Sequence, residues 1–428
     1  MEKAKKIVIL GAGPCGLGAA WQLKKLKHPF FHVYEASGHA GGLSSSFIDD
    51  AGFTWDIGGH VFHGTNDMLH RLFSSMTKGK YTTYTRHASI LIGESLVSYP
   101  FQYALSELPE AIRKQCMVGL ANNNEKKPPD SFYAWLLATF GSGMAKHFFF
   151  PYNEKLWRYP LEKMDWRWIS EKIATAHEKH KGTSWGRNAR FSVPTVGGIG
   201  SVFIAMAKKI SPHISYNKQA VAIDAKKRIV TFLDGLSVPY DHLLSTIPLP
   251  QLVRMTTGVV IPSAQGLVSC GVAVVGVGIR GTTPQHLKDM HWIYIPSPNI
   301  PFFRVSVYSN YGTRHAPLDA WSLLFEVSYD GKKQLKKDMV ICQVIHSAVD
   351  SGFIPRTASI IDRFYVEAPV AYPIPTKNRD AVLSRVIPAL ETHNLYSRGR
   401  FGSWKYEEGN MDHVLTSGMT WADEIMRR

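Results

Sequence analysis

Cysteine is scarce and scattered in this 428-residue chain, and long apolar runs are missing. The four cysteines, Cys15, Cys116, Cys270 and Cys342, form no CxxC pair, which argues against a zinc site or a disulfide framework and is typical of a reducing compartment. No stretch reaches the roughly 18 apolar residues that a transmembrane helix needs, and glycines interrupt the N-terminal apolar run at once, unlike a secretory signal. We therefore expect a cytoplasmic protein without a metal site or a membrane span.

The chain also lacks a dense run of Lys and Arg, although its formal net charge is +15. An excess of this size favours an anionic partner. The nearest basic clusters, Lys332-Lys333 and Lys336-Lys337, are typical of a solvated face, so nucleic acid is not the expected partner. A phosphate-binding pocket on a basic surface accounts for the charge equally well.

Internal repeats, low-complexity segments and a Pro/Gly-rich linker are absent as well. At this length one hydrophobic core does not usually suffice, so we expect two or three interlocked domains built from non-contiguous pieces. The predicted boundaries are 1–95, 96–185, 186–385 and 386–428.

The N-terminal part of the sequence has a βαβ pattern. Lys6–Leu10 is predicted as a buried strand, Gly16–Leu26 as a helix and His28–Glu35 as a second strand. Further on, apolar positions at helical spacing alternate with β-rich stretches. Helices are predicted at Ala111–Ala121, Ser131–Phe140, Trp166–His180 and towards the end of Gly409–Arg428; strands are predicted at Lys218–Pro239 (a hairpin around Asp234-Gly235), Val268–Ile279, Trp292–Tyr308 and Trp321–Val327.

The turn between the first strand and helix has the pattern G-x-G-x-x-G. Gly11 allows the tight turn, Gly13 lets the backbone approach a pyrophosphate, and Gly16 lets helix and strand pack closely, with Cys15 beside them. The helix N-terminus then offers free N–H groups to phosphates. Glu35 ends the second strand where a ribose-binding acid belongs, so we predict a dinucleotide site.

Two further glycine turns favour FAD over NAD. Gly41-Gly42-Leu43-Ser44 follows the acid, and Gly58-Gly59-His60 follows Asp56. Both stand at the spacing seen in FAD enzymes of the amine-oxidase and mutase superfamily. The alternative is two ordinary loops.

Segments spread over nearly the whole chain resemble the UDP-galactopyranose mutases, and the eukaryotic branch more than the bacterial one. The resemblance implies an α/β fold: a Rossmann-type FAD-binding domain (1–95), a mainly helical domain (96–185), a mixed antiparallel β-sheet domain (186–385) and a C-terminal FAD-binding segment (386–428). The matching stretches are Gly58–His60, Tyr99–Gln102, Asn153–Trp157, Trp185–Asn188, Pro301–Arg304 and Ser397–Asn410.

The resemblance also implies the chemistry. In this family N5 of the reduced flavin attacks the anomeric carbon of UDP-galactopyranose and displaces UDP, and the sugar of the covalent adduct opens and recloses as a furanose before UDP returns. Physically this is nucleophilic catalysis by a cofactor. NADPH is the family's usual reductant.

Site residues follow from the same resemblance. His60, Arg304 and Lys172 are the implied catalytic residues, with His60 against the flavin face rather than acting as a general base. The implied substrate contacts are Tyr99, Phe101, Gln102, Asn153, Trp157, Asn188, Tyr294, Arg304, Tyr372 and Tyr406. The implied cofactor contacts are Gly11, Gly13, Cys15, Gly16, Glu35, Gly42, Leu43, Ser44, Gly59, His60, Arg400, Gly409, Asn410 and Met411.

Two positions depart from the family pattern. Lys172 stands where the family carries an arginine on a mobile substrate loop, and lysine lacks the planar fork that suits a diphosphate. Either that phosphate clamp is weaker, or Arg158, Arg167 or Arg187 replaces it. His63 replaces an aromatic residue near the sugar. Galactose is favoured, and a deoxy, amino or pentose sugar remains open.

Two rival functions also remain open. One is a redox flavoenzyme such as an amine or protoporphyrinogen oxidase, which would share the glycine motifs but has no reason to keep Tyr99, Asn188 and Arg304 together. The other is a non-catalytic UDP-sugar-binding flavoprotein. A homo-oligomer is compatible with the sequence, which does not decide the oligomeric state.

Overall fold

A computed structural model describes residues 5–64, 66–123, 128–169 and 189–428. Lys172, Arg187 and Asn188 lie outside these ranges. So does most of the predicted helix Trp166–His180, of which the described part is a single 3₁₀ turn, Arg167–Ile169.

The described residues form ten α-helices and twenty strands. The helices are α1 (Pro14–Lys25), α2 (Asp67–Thr77), α3 (Glu110–Ala121), α4 (Phe132–Met144), α5 (Phe150–Trp157), α6 (Gly200–Lys209), α7 (Leu249–Met255), α8 (Lys337–Asp350), α9 (Arg379–Glu391) and α10 (Met411–Arg427). The strands are β1 (Ile7–Leu10), β2 (Phe31–Tyr34), β3 (Ser46–Ile48), β4 (Thr54–Asp56), β5 (Tyr81–Thr85), β6 (Ala88–Ile92), β7 (Ser95–Ser98), β8 (Arg190–Pro194), β9 (Ile214–Ser215), β10 (Ala220–Asp224), β11 (Ile229–Phe232), β12 (Ser237–Pro239), β13 (His242–Ser245), β14 (Thr256–Thr257), β15 (Ser269–Arg280), β16 (Trp292–Tyr294), β17 (Arg304–Val307), β18 (Ala320–Tyr329), β19 (Ile360–Pro373) and β20 (Leu395–Ser397).

A five-stranded parallel sheet is built from distant parts of the chain, in the order β20-β13-β1-β2-β9. All four residues of β1 are buried, as expected for a strand covered on both faces. Helices α1, α6 and α10 share one apolar cluster on this sheet. The predicted βαβ unit is confirmed, and the carboxyl ends of all five strands meet at one edge.

A second, seven-stranded sheet has the order β19-β15-β18-β17-β16-β6-β7. Its neighbours are antiparallel apart from the pair β16–β6. The strands β6 and β7 therefore belong to this sheet, although all of β6 and the first residue of β7 fall within the predicted FAD-binding range 1–95. Aromatic residues of α4 and α5 pack against this sheet.

The predicted hairpin at Lys218–Pro239 is instead three strands, β10, β11 and β12, with β14 added in parallel to β10. The predicted turn at Asp234-Gly235 is present, with Gly235 at φ 86°. A second turn precedes β11 at Arg228, which takes φ 57°. Arginine gives no turn signal, so the sequence pattern merges two strands into one.

The helices predicted around residues 111–140 correspond to α3 and α4. Helix α4 runs beyond the predicted Phe140, across Gly141 at φ 71°, to Met144. The C-terminal helix is α10. In the described part of the chain, no helix is both long and apolar enough to cross a membrane.

Candidate active site

One large cavity lies where the carboxyl edge of the parallel sheet faces the seven-stranded sheet. Its volume is about 490 Å³. It is lined by the residues that directly follow β1, β2 and β13, which are Gly11, Glu35 and Thr246. In open α/β sheets, ligands bind at this edge. Tyr294 and Arg304, from β16 and β17, line the other side.

The glycine turn has the geometry that its spacing predicts. Gly11 takes φ 104°, a backbone conformation that side chains disfavour. A Cβ on Gly16 would lie 1.9 Å from the carbonyl oxygen of Gly11, so Gly16 serves helix–strand packing and does not itself line the cavity. Gly13 and Gly42 approach so closely that a Cβ on Gly42 would lie 3.3 Å from the Gly13 Cα.

Glu35 is fixed by hydrogen bonds at the start of the cavity. Its Oε2 accepts from the backbone N–H of Ala12 at 2.6 Å, and its Oε1 accepts from both the N–H and the Oγ of Ser37 at 2.8 Å. The backbone N–H of Lys218 donates to the carbonyl of Glu35 at 2.8 Å, and the Lys218 side chain also lines the cavity. The acid is thus preorganised beside the glycine turn.

The turn Gly58-Gly59-His60 forms the opposite end of the wall. Gly58 takes φ 96°. Among the described residues, the buried Nδ1 of His60 has no hydrogen-bond partner. Burial, followed by the nearby charges of Arg400 and Arg304, lowers the pKa of His60 to about 3. His60 is therefore a neutral imidazole with an unused ring nitrogen.

Arg304 supplies a positive charge at this end of the cavity. Its Nε and Nη2 donate to the two carboxylate oxygens of Glu326 at 2.6 and 2.8 Å. The two residues face each other across β17 and β18, and Oε1 of Glu326 also accepts from the N–H of Gly59 at 3.2 Å. Burial acts to lower the pKa of Arg304, but Glu326 and Tyr372 hold it well above its usual value. The guanidinium stays charged and fixed in direction.

Four tyrosines line the same cavity as Arg304: Tyr99, Tyr294, Tyr372 and Tyr406. The rings of Tyr99 and Tyr294 lie 4.7 Å apart, and those of Tyr372 and Tyr406 lie 5.5 Å apart. Burial raises the pKa of the Tyr99, Tyr372 and Tyr406 phenols, so these hydroxyls stay protonated and can donate hydrogen bonds.

The C-terminal segment closes the cavity between these two ends. Arg400 begins a π-helical turn and donates through Nε to the carbonyl of Gly409 at 3.2 Å. Asn410 is the N-cap residue of α10. Arg400, Gly409, Asn410 and Met411 all line the cavity, together with the predicted Cys15, Leu43, Ser44 and Gly59.

Four predicted nucleotide contacts are not brought to the cavity wall. The Nδ2 of Asn153 donates to the carbonyl of Phe149 at 2.8 Å, and its Oδ1 accepts from Nε1 of Trp157 at 3.2 Å. Phe101 is fully buried and stacks on Phe148 at 5.1 Å. The fourth, Gln102, is also buried. Trp157 packs edge-on to Tyr406 at 4.9 Å, so this group lies behind the tyrosines.

Comparisons with known proteins agree with this geometry. The profile of the flavin containing amine oxidoreductase family matches residues 14–426. The crystal structure of a reduced UDP-galactopyranose mutase is 34% identical, with a TM-score of 0.94 over 99% of this chain and 94% of that one. This chain belongs to the UDP-galactopyranose mutases.

A more distant solved structure shows the fold alone, and one curated protein matches only a short stretch of the chain. The putative protoporphyrinogen oxidase from Exiguobacterium sp. 255-15 is 17% identical, with a TM-score of 0.78 over 100% of both chains. A hydroxysqualene dehydroxylase from Sinorhizobium fredii (strain NBRC 101917 / NGR234) is 36% identical over 98 residues, which span 23% of this chain and 21% of that protein.

The cofactor of this mutase family member is FAD, and the described residues fit it. Gly13 and Gly42 lie close together, so the cavity is lined there by backbone and not by side chains. A pyrophosphate needs backbone N–H groups at such close range. At the far end, the buried Nδ1 of His60 is a polar atom still able to bond the cofactor. At the near end, the fixed carboxylate of Glu35 can bind its ribose.

Sequence reasoning missed Arg86 and Lys218 in the cavity wall of this mutase, and Glu326 behind it. Arg86 lines the wall and lies over the Tyr99 ring at 5.1 Å; no motif points to it. Lys218 was treated only as the start of a predicted strand. Glu326 could have been found, because a buried acid inside the apolar strand β18 requires a partner.

Proposed function

We propose that this protein interconverts the pyranose and furanose forms of UDP-galactose or of a closely related UDP-sugar. The observation that supports it most is the fixed Arg304 among four tyrosines, at the end of a cavity whose other end carries the dinucleotide fingerprint. A charged fork and neutral hydroxyls are the donors that suit a diphosphate.

Each group has a role in this proposal. When bound and reduced, FAD supplies the nucleophile. Arg304 and the hydroxyls of Tyr294, Tyr372 and Tyr406 hold the diphosphate, so that they stabilise its charge as it leaves the anomeric carbon. His60 stays neutral and packs against the ring; it moves no proton. Tyr99 and Asn188 are proposed for the uridine side, and Phe101, Gln102, Asn153 and Trp157 are proposed to support it from behind the wall.

His63 bears on the choice of sugar. His63 lines the cavity, and its Nδ1 donates to the carbonyl of Arg190 at 3.3 Å. Burial lowers the pKa of His63, so the ring is neutral and its Nε2 is an acceptor. We propose that Nε2 accepts a hydrogen bond from a sugar hydroxyl.

The remaining proposals concern the setting of the reaction. NADPH is proposed as the reductant, and Lys172 as a second phosphate contact. The cytoplasm is proposed as the location, which the four free cysteines support. The eukaryotic-type branch and the homo-oligomer stay predictions.

The deciding experiment gives the purified protein UDP-galactofuranose with and without dithionite. Conversion to the pyranose form only with reduced flavin supports the mutase. Oxygen consumption with an amine and no isomerisation would contradict it, and tight UDP binding without either activity would point to a non-catalytic binding protein.

Arg304→Ala tests the site itself. We expect most activity to be lost, because one charge-assisted phosphate contact contributes about 1.5–3 kcal/mol. Arg356→Ala, at an arginine whose side chain is 81% exposed, is the matched control. Wild-type turnover of Arg304→Ala in the same assay would refute its role.

A further inference from the structure

The amino edge of the parallel sheet, opposite the cavity, collects basic side chains. Helices α1, α6 and α10 end there with Lys24-Lys25, Lys208-Lys209 and Arg427. Contacts join the three ends: Nζ of Lys24 donates to the carbonyl of Lys209, and Nε2 of Gln22 donates to Asp423 at 2.7 Å. The three helix ends therefore form one surface.

Exposed apolar side chains lie among these basic ones. Leu26 is 41% exposed, Phe30 is 53% exposed and Met426 is 41% exposed. Phe30 precedes Phe31, whose ring stacks at 4.2 Å on His213, just after α6. We call this surface the basic edge; its residues are Lys24, Lys25, Leu26, Lys27, Phe30, Lys208, Lys209, Met426, Arg427 and Arg428, all exposed.

The charge of the basic edge is not neutralised within the described residues. Its seven basic side chains take part in none of the ion pairs found there. The acids of the last turns of α10 are Asp423, bound to Gln22, and Glu424. Seven basic against two acidic side chains leaves a net positive surface.

Helix dipoles explain part of this pattern, since cations are favoured at helix C-termini. They do not explain Lys27 and Phe30, which lie beyond α1, or three exposed apolar side chains beside the cations. Cations surrounding exposed apolar groups are the combination that binds anionic membrane surfaces, where the lipid charge attracts the lysines and the interface takes up the apolar groups. A nucleic acid would use the cations but leave Leu26, Phe30 and Met426 in water.

We propose that the basic edge docks this protein on the anionic surface of a phospholipid bilayer, with Leu26, Phe30 and Met426 entering the interface. The cavity lies at the carboxyl edge of the same sheet, so it faces away from the bilayer and stays open to a water-soluble substrate. The contact is peripheral and requires no membrane-spanning helix.

Co-sedimentation of the FAD-loaded full chain with vesicles tests this proposal. We expect binding to vesicles of phosphatidylcholine mixed with phosphatidylglycerol, little binding to phosphatidylcholine alone, and weaker binding as salt rises. Lys25→Glu/Lys27→Glu is expected to lower the partition coefficient at least about tenfold, and Leu26→Ser/Phe30→Ser about tenfold. FAD content and isomerisation of soluble substrate should match the wild type in both variants.

Matched controls stand elsewhere on the surface. Lys332→Glu/Lys333→Glu changes the net charge equally, and Leu318→Ser removes a fully exposed apolar side chain; neither should alter binding. Equal binding to both vesicle types would overturn the proposal. So would wild-type binding by Leu26→Ser/Phe30→Ser, since that result means a purely electrostatic surface of the kind that a nucleic acid or an acidic protein uses.

Discussion

Glu326 shows how one buried charge organises the site. Its carboxylate holds the Arg304 fork and the Gly59 N–H together, which ties the proposed phosphate contact to the turn that carries His60. Both partners are largely withdrawn from solvent, with side-chain exposures of 22% and 2%. Losing the carboxylate would leave the cation buried without a counter-ion.

Glu326→Gln, which keeps the size and removes the charge, is therefore expected to lower the free energy of unfolding by about 3–5 kcal/mol. Chemical denaturation without ligand measures it. Glu94→Gln, at an exposed acid, is the control and should change little. Equal stabilities of Glu326→Gln and the wild type would show that the pair is not structural.

His315 is expected to make the fold sensitive to acid. Its side chain is buried, neither ring nitrogen has a partner among the described residues, and burial lowers its pKa to about 4. Below about pH 6.5 the unfolded chain takes up a proton there and the folded protein does not, so stability falls as the pH drops to 4.

His315→Leu should remove up to about 1.4 kcal/mol per pH unit from the slope of stability against pH in that window. Urea unfolding at several pH values gives both slopes. His346→Leu, at an exposed histidine, should keep the wild-type slope. Parallel profiles for His315→Leu and the wild type would contradict the assignment.

At this scale the sequence predicted residues whose role depends on local spacing. Gly11, Gly13 and Glu35 lie together because a strand, a turn and a helix fix their distances. Glu326 and Arg86 could not be placed in the same way. Their positions depend on which strands become neighbours, and that is decided by long-range pairing.

At the scale of elements, the hairpin β16–β17 positions the proposed phosphate contacts. Tyr294 and Arg304 face each other at its loop end, and the connection between them is held by one lysine of α5. Nζ of Lys155 donates to the carbonyls of Ile295 and Phe302 at 3.0 and 2.9 Å, and to that of Ser297. Burial lowers the pKa of Lys155 to about 7.

Lys155→Met is expected to loosen this connection and to raise KM for the UDP-sugar by roughly tenfold, because small displacements of positioning groups are costly. FAD content should not change, since no FAD contact is proposed on the hairpin. Steady-state kinetics and flavin absorbance separate the two. Lys146→Met, at an exposed lysine, is the control; an unchanged KM in Lys155→Met would refute the role.

Strands and helices with clear periodicity were predicted well, including β1, α1, β15 and α10. The sequence missed the turn at Arg228 and the extension of α4, because neither has a distinctive local signal. Asn153 and Trp157, predicted at the nucleotide, are hydrogen-bonded to each other behind the tyrosines, and their contact with the nucleotide stays a prediction.

At the scale of the whole molecule, the ligand site is formed by residues that are far apart in the sequence. The cavity is lined by residues from Leu10 to Val414, so bound FAD should stabilise the fold as a unit. The domain ranges 1–95, 96–185, 186–385 and 386–428 stay predictions. The pairing of β6 with β16 and of β13 with β20 shows how closely these ranges interlock.

Removing FAD is expected to lower the thermal unfolding midpoint. Free FAD at about a thousand times its Kd should restore about 4 kcal/mol. Differential scanning calorimetry of the deflavinated and reloaded protein measures this difference, with NAD as the control nucleotide. An unchanged midpoint after deflavination would show that the cavity is not the cofactor site.

The order of the strands in the parallel sheet also means that the sheet cannot be completed until β20 has been made. The central strand β1 is made well before its sheet partner's neighbour β20, which follows it by more than 380 residues of the chain. At about 5–20 residues per second, the two are separated by roughly 20–80 s on the ribosome. During this interval the apolar strand β1 lacks part of its sheet and the whole of α10. The nascent chain therefore needs protection from aggregation, and the cofactor site is complete only once α10 has been made.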